Sequence, residues 1–505
     1  MLKKKQKGSI IMKNVLEYLE NISLTSKHQV IDEWGQCSYA ELLQTSQKVG
    51  SSLALKLSKN MPVPIFMEKG IHCLSAFFGT VYAGCFYVLL NPQLPSLRLQ
   101  QVLQQLQSTF IITDQQHYHL ALEYFDHYEI LLIEDLQKTK INMTLLKDIR
   151  QKALDIDPLY ANFTSGSTGT PKGVVVNHIS VIHFIEQLTT LFQINDTDII
   201  GNQAPFDFDV SVKDIYSAIS TGATLVIIPR RLFSSPAQLL DYLCAQHITT
   251  MFWAVSALCL ITTFHGLDYK VPIDIKKVLF SGEVMPLKHL KQWMEHLPDA
   301  MFVNLYGPTE ITCNCTYHII DRTRDYDALP IGKPFDNKEV FLIDQQQLIN
   351  KPHQIGEIIV RGIGLSLGYY NDSHQTQKAF IQNPLHHHYQ DIVYCTGDLA
   401  YYNEKKELIF AGRKDFQIKY MGHRIELEEI EKIISHYVER VCCLFIKNKI
   451  YCFYIGHKDK KELHQLLKEQ LPIYMIPHRF IQQTSFPLTK NGKIDRKALA
   501  ETLGG

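Results

Sequence analysis

Charge of one sign is not in excess in this chain: Lys plus Arg number 51 and Asp plus Glu number 51. That balance removes the electrostatic footprint of a nucleic-acid binder and of a polybasic membrane binder. No C-x-x-C pair occurs among eleven cysteines, and the odd count fits a reducing, cytoplasmic setting better than a disulfide framework. Cys313 and Cys315 are close, as are Cys442 and Cys443, but no tetrahedral ligand set follows, so they read as buried thiols. The basic N-terminus "MLKKKQKGSIIMKN" lacks the apolar core of a signal peptide. Residues 1–11 read as a loose tail, with Met12 an alternative start. From Ile71 to Leu97 there is no charge, a length that raises the question of a membrane span. Gly79 and Gly84 interrupt it, Asn91 and two prolines end it, and its second half is β-branched and aromatic. A buried helix followed by a buried strand is expected, with no membrane partner. The histidine run 386–388 sits among polar residues and reads as solvated, not metal-binding.

What is present is apolar and segmented. A chain of 505 residues, 46% hydrophobic, exceeds one ordinary core and calls for at least two domains. Runs such as "ATLVIIP", "KKVLFSG" and "MFVNLYG" read as buried parallel strands, and they alternate with helical patterns such as "SPAQLLDYLCAQH" and "LKHLKQWMEHL". An α/β architecture is expected. After about residue 410 short strands and a charged helix replace this alternation. The expectation is a large domain over 12–413 and a small α+β domain over 414–505, with the boundary near Arg413 to Phe416.

The stretch "FTSGSTGTPKG", residues 163–173, combines glycines with hydroxyl donors and a lysine, the composition of a phosphate-gripping loop. It is not a Walker A loop, because Pro171 precedes Lys172 and Gly173 follows it. Strand-like segments on both sides, "DPLYANF" and "GVVVNH", set it apart from a flexible linker.

Eight motifs now stand in order: "FTSGSTGTPKG", "FDFDVSVKDIY", "NLYGPTE", "GEIIVRGIGLSLGYYN", "YCTGDLA", "GRKDFQIKYMGHRIELEEIE", "LPIYMIP" and "NGKIDRKAL". Together they resemble the adenylate-forming superfamily, nearest to the amino-acid adenylation domains of nonribosomal peptide synthetases and their free-standing relatives. The resemblance implies that a carboxylate is joined to AMP from ATP with release of pyrophosphate, then passed to a phosphopantetheine thiol. It implies that Lys493 is the catalytic lysine and that Glu310 holds Mg²⁺, a hard cation suited to an oxygen ligand. Thr164, Ser165, Gly166, Ser167, Thr168, Gly169 and Lys172 would close over the β- and γ-phosphates. Tyr306 would stack on adenine, with Asn304 at its edge and Gly307 and Thr309 beside the nucleotide. Asp398 would accept the two ribose hydroxyls, and Arg413 would touch ribose and phosphate. Asp415 falls at the hinge about which the small domain rotates, and Gly422 at the entry of the pantetheine arm.

The same resemblance places Asp209 on the α-amine of an amino acid, a natural partner for a carboxylate in an apolar setting. Asp207 is its rival, although "FDVSV" favours Asp209. The other pocket positions map to Val210, Lys213, Phe252, Leu279, Ser281, Leu305, Cys313 and Asn314. Val, Phe and two Leu suggest a small apolar pocket, and the pattern is similar to prolyl-activating members, so L-proline is the expected substrate. Lys213 departs from that pattern, and its ammonium is expected to snorkel outward. D-alanine-activating ligases are the runner-up, and an acyl- or aryl-CoA ligase is the alternative from another class. The closing "LGG" reads as a tail with no carrier domain behind it, so the expected acceptor is a separate carrier protein.

Overall fold

The structure is a computed structural model that describes residues 12–24, 28–166, 169–489 and 494–503. The tail 1–11, Ser167, Thr168 and Lys493 therefore lie outside the described residues.

Two large sheets carry the first part of the chain. In one, six neighbouring strands run parallel: Met301–Tyr306, Lys277–Ser281, Thr250–Ala254, Ile199–Asn202, Thr224–Ile227 and Gln29–Ile31. Antiparallel strands close it at both edges, Thr316–Ile319 and Lys333–Pro334 on one side and Gln36–Ser38 on the other. The second sheet orders Glu129–Leu132, Phe110–Thr113, Pro62–Phe66, Phe86–Leu90 and Pro158–Thr164 in parallel, and ends on antiparallel Lys172–Asn177. Pro62–Phe66 and Thr250–Ala254 are buried at every residue, because helices cover both faces of a parallel sheet and leave no polar side. This is the α/β fold that the alternating pattern predicts.

The charge-free stretch forms the helix Ile71–Tyr82, whose residues from Cys73 to Tyr82 are all buried, and then the strand Phe86–Leu90. Tertiary packing accounts for its hydrophobicity. Among the described residues no helix is long and apolar enough to cross a membrane. All eleven cysteines are free, and Cys313, Cys315, Cys442 and Cys443 are buried.

A third sheet contains Lys338–Asp344, Gly356–Gly362, Ile392–Tyr402 and Leu408–Arg413. After Arg413 the chain leaves it and forms the hairpin Gln417–Tyr420/His423–Glu426, then the helix Leu427–Ser435. The strands Arg440–Ile446, Lys449–Ile455 and Arg479–Gln482 follow. These elements enclose an apolar cluster of their own, built on Ile425, Ile430, Ile434, Cys452 and Leu463. The hairpin projects from this C-terminal unit toward the large sheets, and the candidate site lies where it arrives.

Candidate active site

Parallel strands place their carboxyl ends along one edge, where open α/β sheets hold ligands. Here Asn202, Ala254, Ser281 and Tyr306 end four neighbouring strands of the nine-stranded sheet. Beyond Tyr306 the chain turns back on itself through Gly307 and the short turn Thr309–Ile311. A Cβ on Gly307 would fall 2.5 Å from the Asn314 Cα and 2.7 Å from the Cys313 carbonyl oxygen, so only glycine allows this approach. Thr312 and Cys313 take left-handed backbone angles, φ 58° and 65°. Such strain in non-glycine residues persists where surrounding contacts enforce it.

A cleft of about 1140 Å³ opens beside this turn, lined among others by Asn304, Tyr306, Asp398, Arg413 and Asp415, a volume ample for a nucleotide. The Tyr306 hydroxyl donates to Asp398 Oδ2 at 2.6 Å. Arg413, paired in register with Asp398 across antiparallel strands, reaches its other oxygen and also binds Asp415 at 2.6 and 2.7 Å. Asp398 is fully buried, with a cation on one oxygen and a phenol on the other. Asn304 spends its amide on the Pro330 carbonyl at 2.8 Å. Lys419, which sequence reasoning passed over, stands 5.3 Å from the Tyr306 ring centroid, in cation–π range.

The glycine-rich stretch joins Pro158–Thr164 to Lys172–Asn177, with Thr164 opposite Lys172. In this arrangement the C-terminal hairpin and the helix that follows it occupy donors of the stretch. Ser165 Oγ donates to the Arg424 carbonyl at 2.8 Å, and the Gly166 N–H to Glu429 at 3.2 Å. Lys172 lies 3.9 Å from Glu426 and 5.1 Å from the Tyr369 ring centroid. Gly169 follows at φ 78°, and Thr164 Oγ1 is buried without a hydrogen-bond partner.

Glu310 is fully buried and accepts from Arg424 Nη1 on both oxygens at 2.9 Å and from the Tyr369 hydroxyl at 2.7 Å. Burial alone would raise its carboxyl, but Arg424 and then Lys172 outweigh it and bring the pKa down to about 2. Arg424 and Tyr369 were not singled out in the sequence. Both lie within motifs that resemble the family's, and a lone arginine in "GHRIE" was the available signal.

Gly422, at the turn of the hairpin, has φ 80°, and its N–H donates to Glu283 Oε1 at 2.6 Å. A Cβ there would meet the Ala254 Cβ at 3.3 Å. The turn thus closes directly over the sheet's carboxyl edge.

The residues expected on the amino-acid side gather around the helix Val210–Thr221. In the parallel register Phe252 lies beside Leu279 and Leu279 beside Val303. With the two-residue strand repeat, Ser281 and Leu305 share that face. Phe252, Leu279, Leu305 and Cys313 join one apolar cluster, and the Cys313 thiol donates to the Asp209 carbonyl at 3.0 Å. Asp209 opens the helix; burial raises its carboxyl, opposed by a hydrogen bond from Thr309 and by Lys213. Asp207 faces elsewhere, with Asn91 Nδ2 3.4 Å from both its oxygens.

The expected outward course of Lys213 is wrong. The residue is 1% exposed, and its ammonium donates to Ser281 Oγ at 3.1 Å and Asn314 Oδ1 at 2.9 Å. Lys213 starts one turn into a helix whose face is covered by the sheet, so the stem has no path to water. Val210, Phe252, Leu279 and Leu305 are therefore not joined by apolar neighbours alone, since Lys213, Ser281 and Asn314 place a polar cluster among the expected pocket positions.

The profile of the family described as AMP-binding enzyme matches residues 20–370. The D-alanine--D-alanyl carrier protein ligase of Staphylococcus aureus strain Newman is 30% identical over 491 residues, covering 93% of this chain and 95% of the relative. Bacitracin synthase 1 of Bacillus licheniformis is 30% identical over 475 residues, and there the match spans 92% of this chain but 9% of the relative. Among solved structures, the Vibrio cholerae adenylation domain AlmE in complex with glycyl-adenosine-5'-phosphate aligns with a TM-score of 0.84 at 22% identity, over 98% of both chains. Holo-PA1221, an NRPS protein containing adenylation and PCP domains, aligns at 0.82 and 22% identity, over 97% of this chain and 84% of its own.

Proposed function

The chain belongs to the AMP-binding enzyme family, and on that premise we propose that it activates an amino acid with ATP and transfers it to the phosphopantetheine thiol of a separate carrier protein. In the first step a substrate carboxylate oxygen bonds to the α-phosphorus of ATP, and the bond to pyrophosphate breaks. In the second the thiol sulfur bonds to the acyl carbon, its proton departs, and AMP leaves.

The observation that carries the reading is that Asp209 meets the turn that follows Tyr306, its carbonyl accepting from the Cys313 thiol at 3.0 Å, within one strand end of the Tyr306–Asp398–Arg413 chain. A group that can hold an α-ammonium and a group that can hold two ribose hydroxyls thus flank one turn. Between them the reacting carboxylate and α-phosphate would meet, in near-attack positions whose prior ordering lowers the barrier. Tyr306 would face the base, and Asp398 would exchange its present partners for ribose hydroxyls. Ser165, Gly166 and Lys172 would turn to the phosphates once the hairpin and the helix after it move off them.

Glu310 fits a divalent cation, since its buried carboxylate already faces a cationic guanidinium and offers hard oxygen donors. Mg²⁺ arriving with the triphosphate would neutralise charge there when bound. Lys493 carries the catalytic role through the resemblance of "NGKIDRK"; electrostatic stabilisation of the charge redistributed around the α-phosphate is the term it would supply. We read residues 12–413 and 414–505 as two units that rotate about Asp415. The docked hairpin fits the thioester-forming arrangement, with the pantetheine arm entering beside Gly422.

For the side chain, L-proline rests on the apolar positions and on a pattern similar to prolyl-activating members, and the buried Lys213 weighs against it. D-alanine draws support from the Staphylococcus aureus relative, a D-alanine--D-alanyl carrier protein ligase. The test is ATP–pyrophosphate exchange across the L-amino acids, D-alanine, and fatty and aryl acids. Amino-acid-dependent exchange, followed by a mass shift on a phosphopantetheine-bearing carrier, is the expected result. Exchange with fatty or aryl acids alone, with release as a CoA thioester, would replace the reading by an acyl- or aryl-CoA ligase.

A further inference from the structure

The turn after Tyr306 keeps two consecutive non-glycine residues, Thr312 and Cys313, at left-handed angles, φ 58° and 65°. The carbonyls that straddle this pair, those of Ile311 and Asn314, meet on one side chain. The Lys338 ammonium donates to them at 3.3 and 2.8 Å. Lys338 opens the strand Lys338–Asp344 of the third sheet and is 7% exposed. Its Nζ also lies 4.8 and 6.0 Å from the ring centroids of Phe184 and Phe335, in cation–π range. Burial lowers the ammonium to about 8, with the thiols Cys315 and Cys313 acting in the opposite direction, so it keeps its charge at neutral pH.

The seat of that ammonium is shaped for it. A Cβ on Gly364 would fall 2.5 Å from Lys338 Cε, 2.7 Å from its Nζ and 3.0 Å from the Ile311 oxygen. Gly364 is not among the glycines of positive φ, so glycine serves here for room and not for backbone freedom. Carbonyl oxygens gathered this way stand in for a cation's hydration shell, and Lys338 supplies the cation from within the chain. Asn314 is thereby held at both ends, its Oδ1 by Lys213 at 2.9 Å and its carbonyl by Lys338. Left-handed strain outside glycine persists where surrounding contacts enforce it, and this ammonium, arriving from a different sheet, is such a contact.

We propose that Lys338 is a positioning residue of the adenylation site: its ammonium, seated in the gap that Gly364 leaves, holds the Ile311 and Asn314 carbonyls and so fixes the turn that presents Glu310 and Asn314. That the turn serves catalysis rests on the ligase reading above; that Lys338 holds the turn does not.

Two substitutions in the full chain and a chemical rescue test this. Lys338→Ala removes the ammonium, whereas Gly364→Ala keeps Lys338 and fills the space of its head. Each should lower kcat/KM for ATP–pyrophosphate exchange by at least about tenfold and speed hydrogen exchange of the amides 311–315, with cooperative unfolding retained. The double variant should be no worse than Lys338→Ala, because the added methyl then has no ammonium to displace. Propylammonium, the piece of side chain that Lys338→Ala removes, should restore both activity and protection, and uncharged 1-propanol of the same shape should not. Where Lys338→Ala does not fold alone, its refolding yield in propylammonium against 1-propanol is the readout. Near-normal kinetics and protection in either folded single variant overturn the inference. So do additive losses in the double variant, or a response to propylammonium no greater than to 1-propanol. Silence of the wild type with every amino acid overturns the ligase reading, and the hydrogen-exchange arm then still decides whether Lys338 holds the turn.

Discussion

Arg424 Nη1 lies 2.9 Å from both oxygens of Glu310, across 114 residues of chain. The guanidinium comes from the C-terminal hairpin and the carboxylate from the turn after Tyr306. One carboxylate thus has two competing cations in the proposed cycle, Mg²⁺ while the phosphates are bound and Arg424 when the hairpin is docked. Neither Glu310 oxygen can serve both fully, so release of pyrophosphate with its metal would free Glu310 to hold the hairpin.

Arg424→Ala is expected to weaken the docked arrangement by about 3 to 5 kcal/mol, the cost of leaving a buried charge without its partner. Carrier loading should fall far more than pyrophosphate exchange, measured side by side on one preparation. Equal loss in both reactions would mean that the pair supports the fold generally.

The same pair sets an acid limit. The folded pKa of Glu310 is depressed from 4.5 to about 2, so its contribution is fully present above the ordinary value and is lost as pH falls through that window. Hairpin docking, followed by fluorescence resonance energy transfer between the two units, should hold constant from pH 7 to about 5 and weaken below it in the wild type. Glu310→Gln should lose that dependence.

Asp209→Ala should cost about 2 to 5 kcal/mol in kcat/KM for the amino acid, the penalty for removing a desolvated ion partner. Asp207→Ala should cost much less, because its carboxyl faces Asn91 and not Thr309. A reversal of the two effects in exchange kinetics would move the ammonium site to Asp207.

Gly422→Val should strain the hairpin turn, since φ 80° disfavours any branched side chain and the added Cβ would meet Ala254 at 3.3 Å. The backbone part of the cost is about 1 to 2 kcal/mol. Thioester formation should drop with adenylate formation nearly intact; the ratio of carrier-bound product to adenylate in single-turnover experiments reads this directly.

Lys493→Ala should abolish pyrophosphate exchange while leaving the melting temperature and ATP binding close to those of the wild type. Near-normal exchange would remove Lys493 from the chemistry.

The α/β class, the strand–loop–strand setting of residues 163–173 and the helix–strand reading of the charge-free stretch were legible because each rests on local pattern. Consecutive buried residues, glycine spacing and β-branched runs report on backbone form within a few positions. Asp398 and Tyr306 were legible singly, through motifs that resemble the family's. Their 2.6 Å hydrogen bond was not, because the strands that bring them together are 92 residues apart.

By itself, then, the chain's sequence determined which elements form, in what order, and which motifs stand at the ends of its strands. Only the tertiary structure decided where Lys213 points, which of Asp207 and Asp209 faces the turn after Tyr306, and that Arg424 takes Glu310. The direction of a side chain leaving a helix follows from periodicity, but whether water or protein lies in that direction depends on what packs there. In Val210–Thr221 the sheet covers that face, so a lysine that local rules send to solvent ends on Ser281 and Asn314. Charge pairing between distant segments is likewise fixed by the meeting of surfaces, and no local pattern records it.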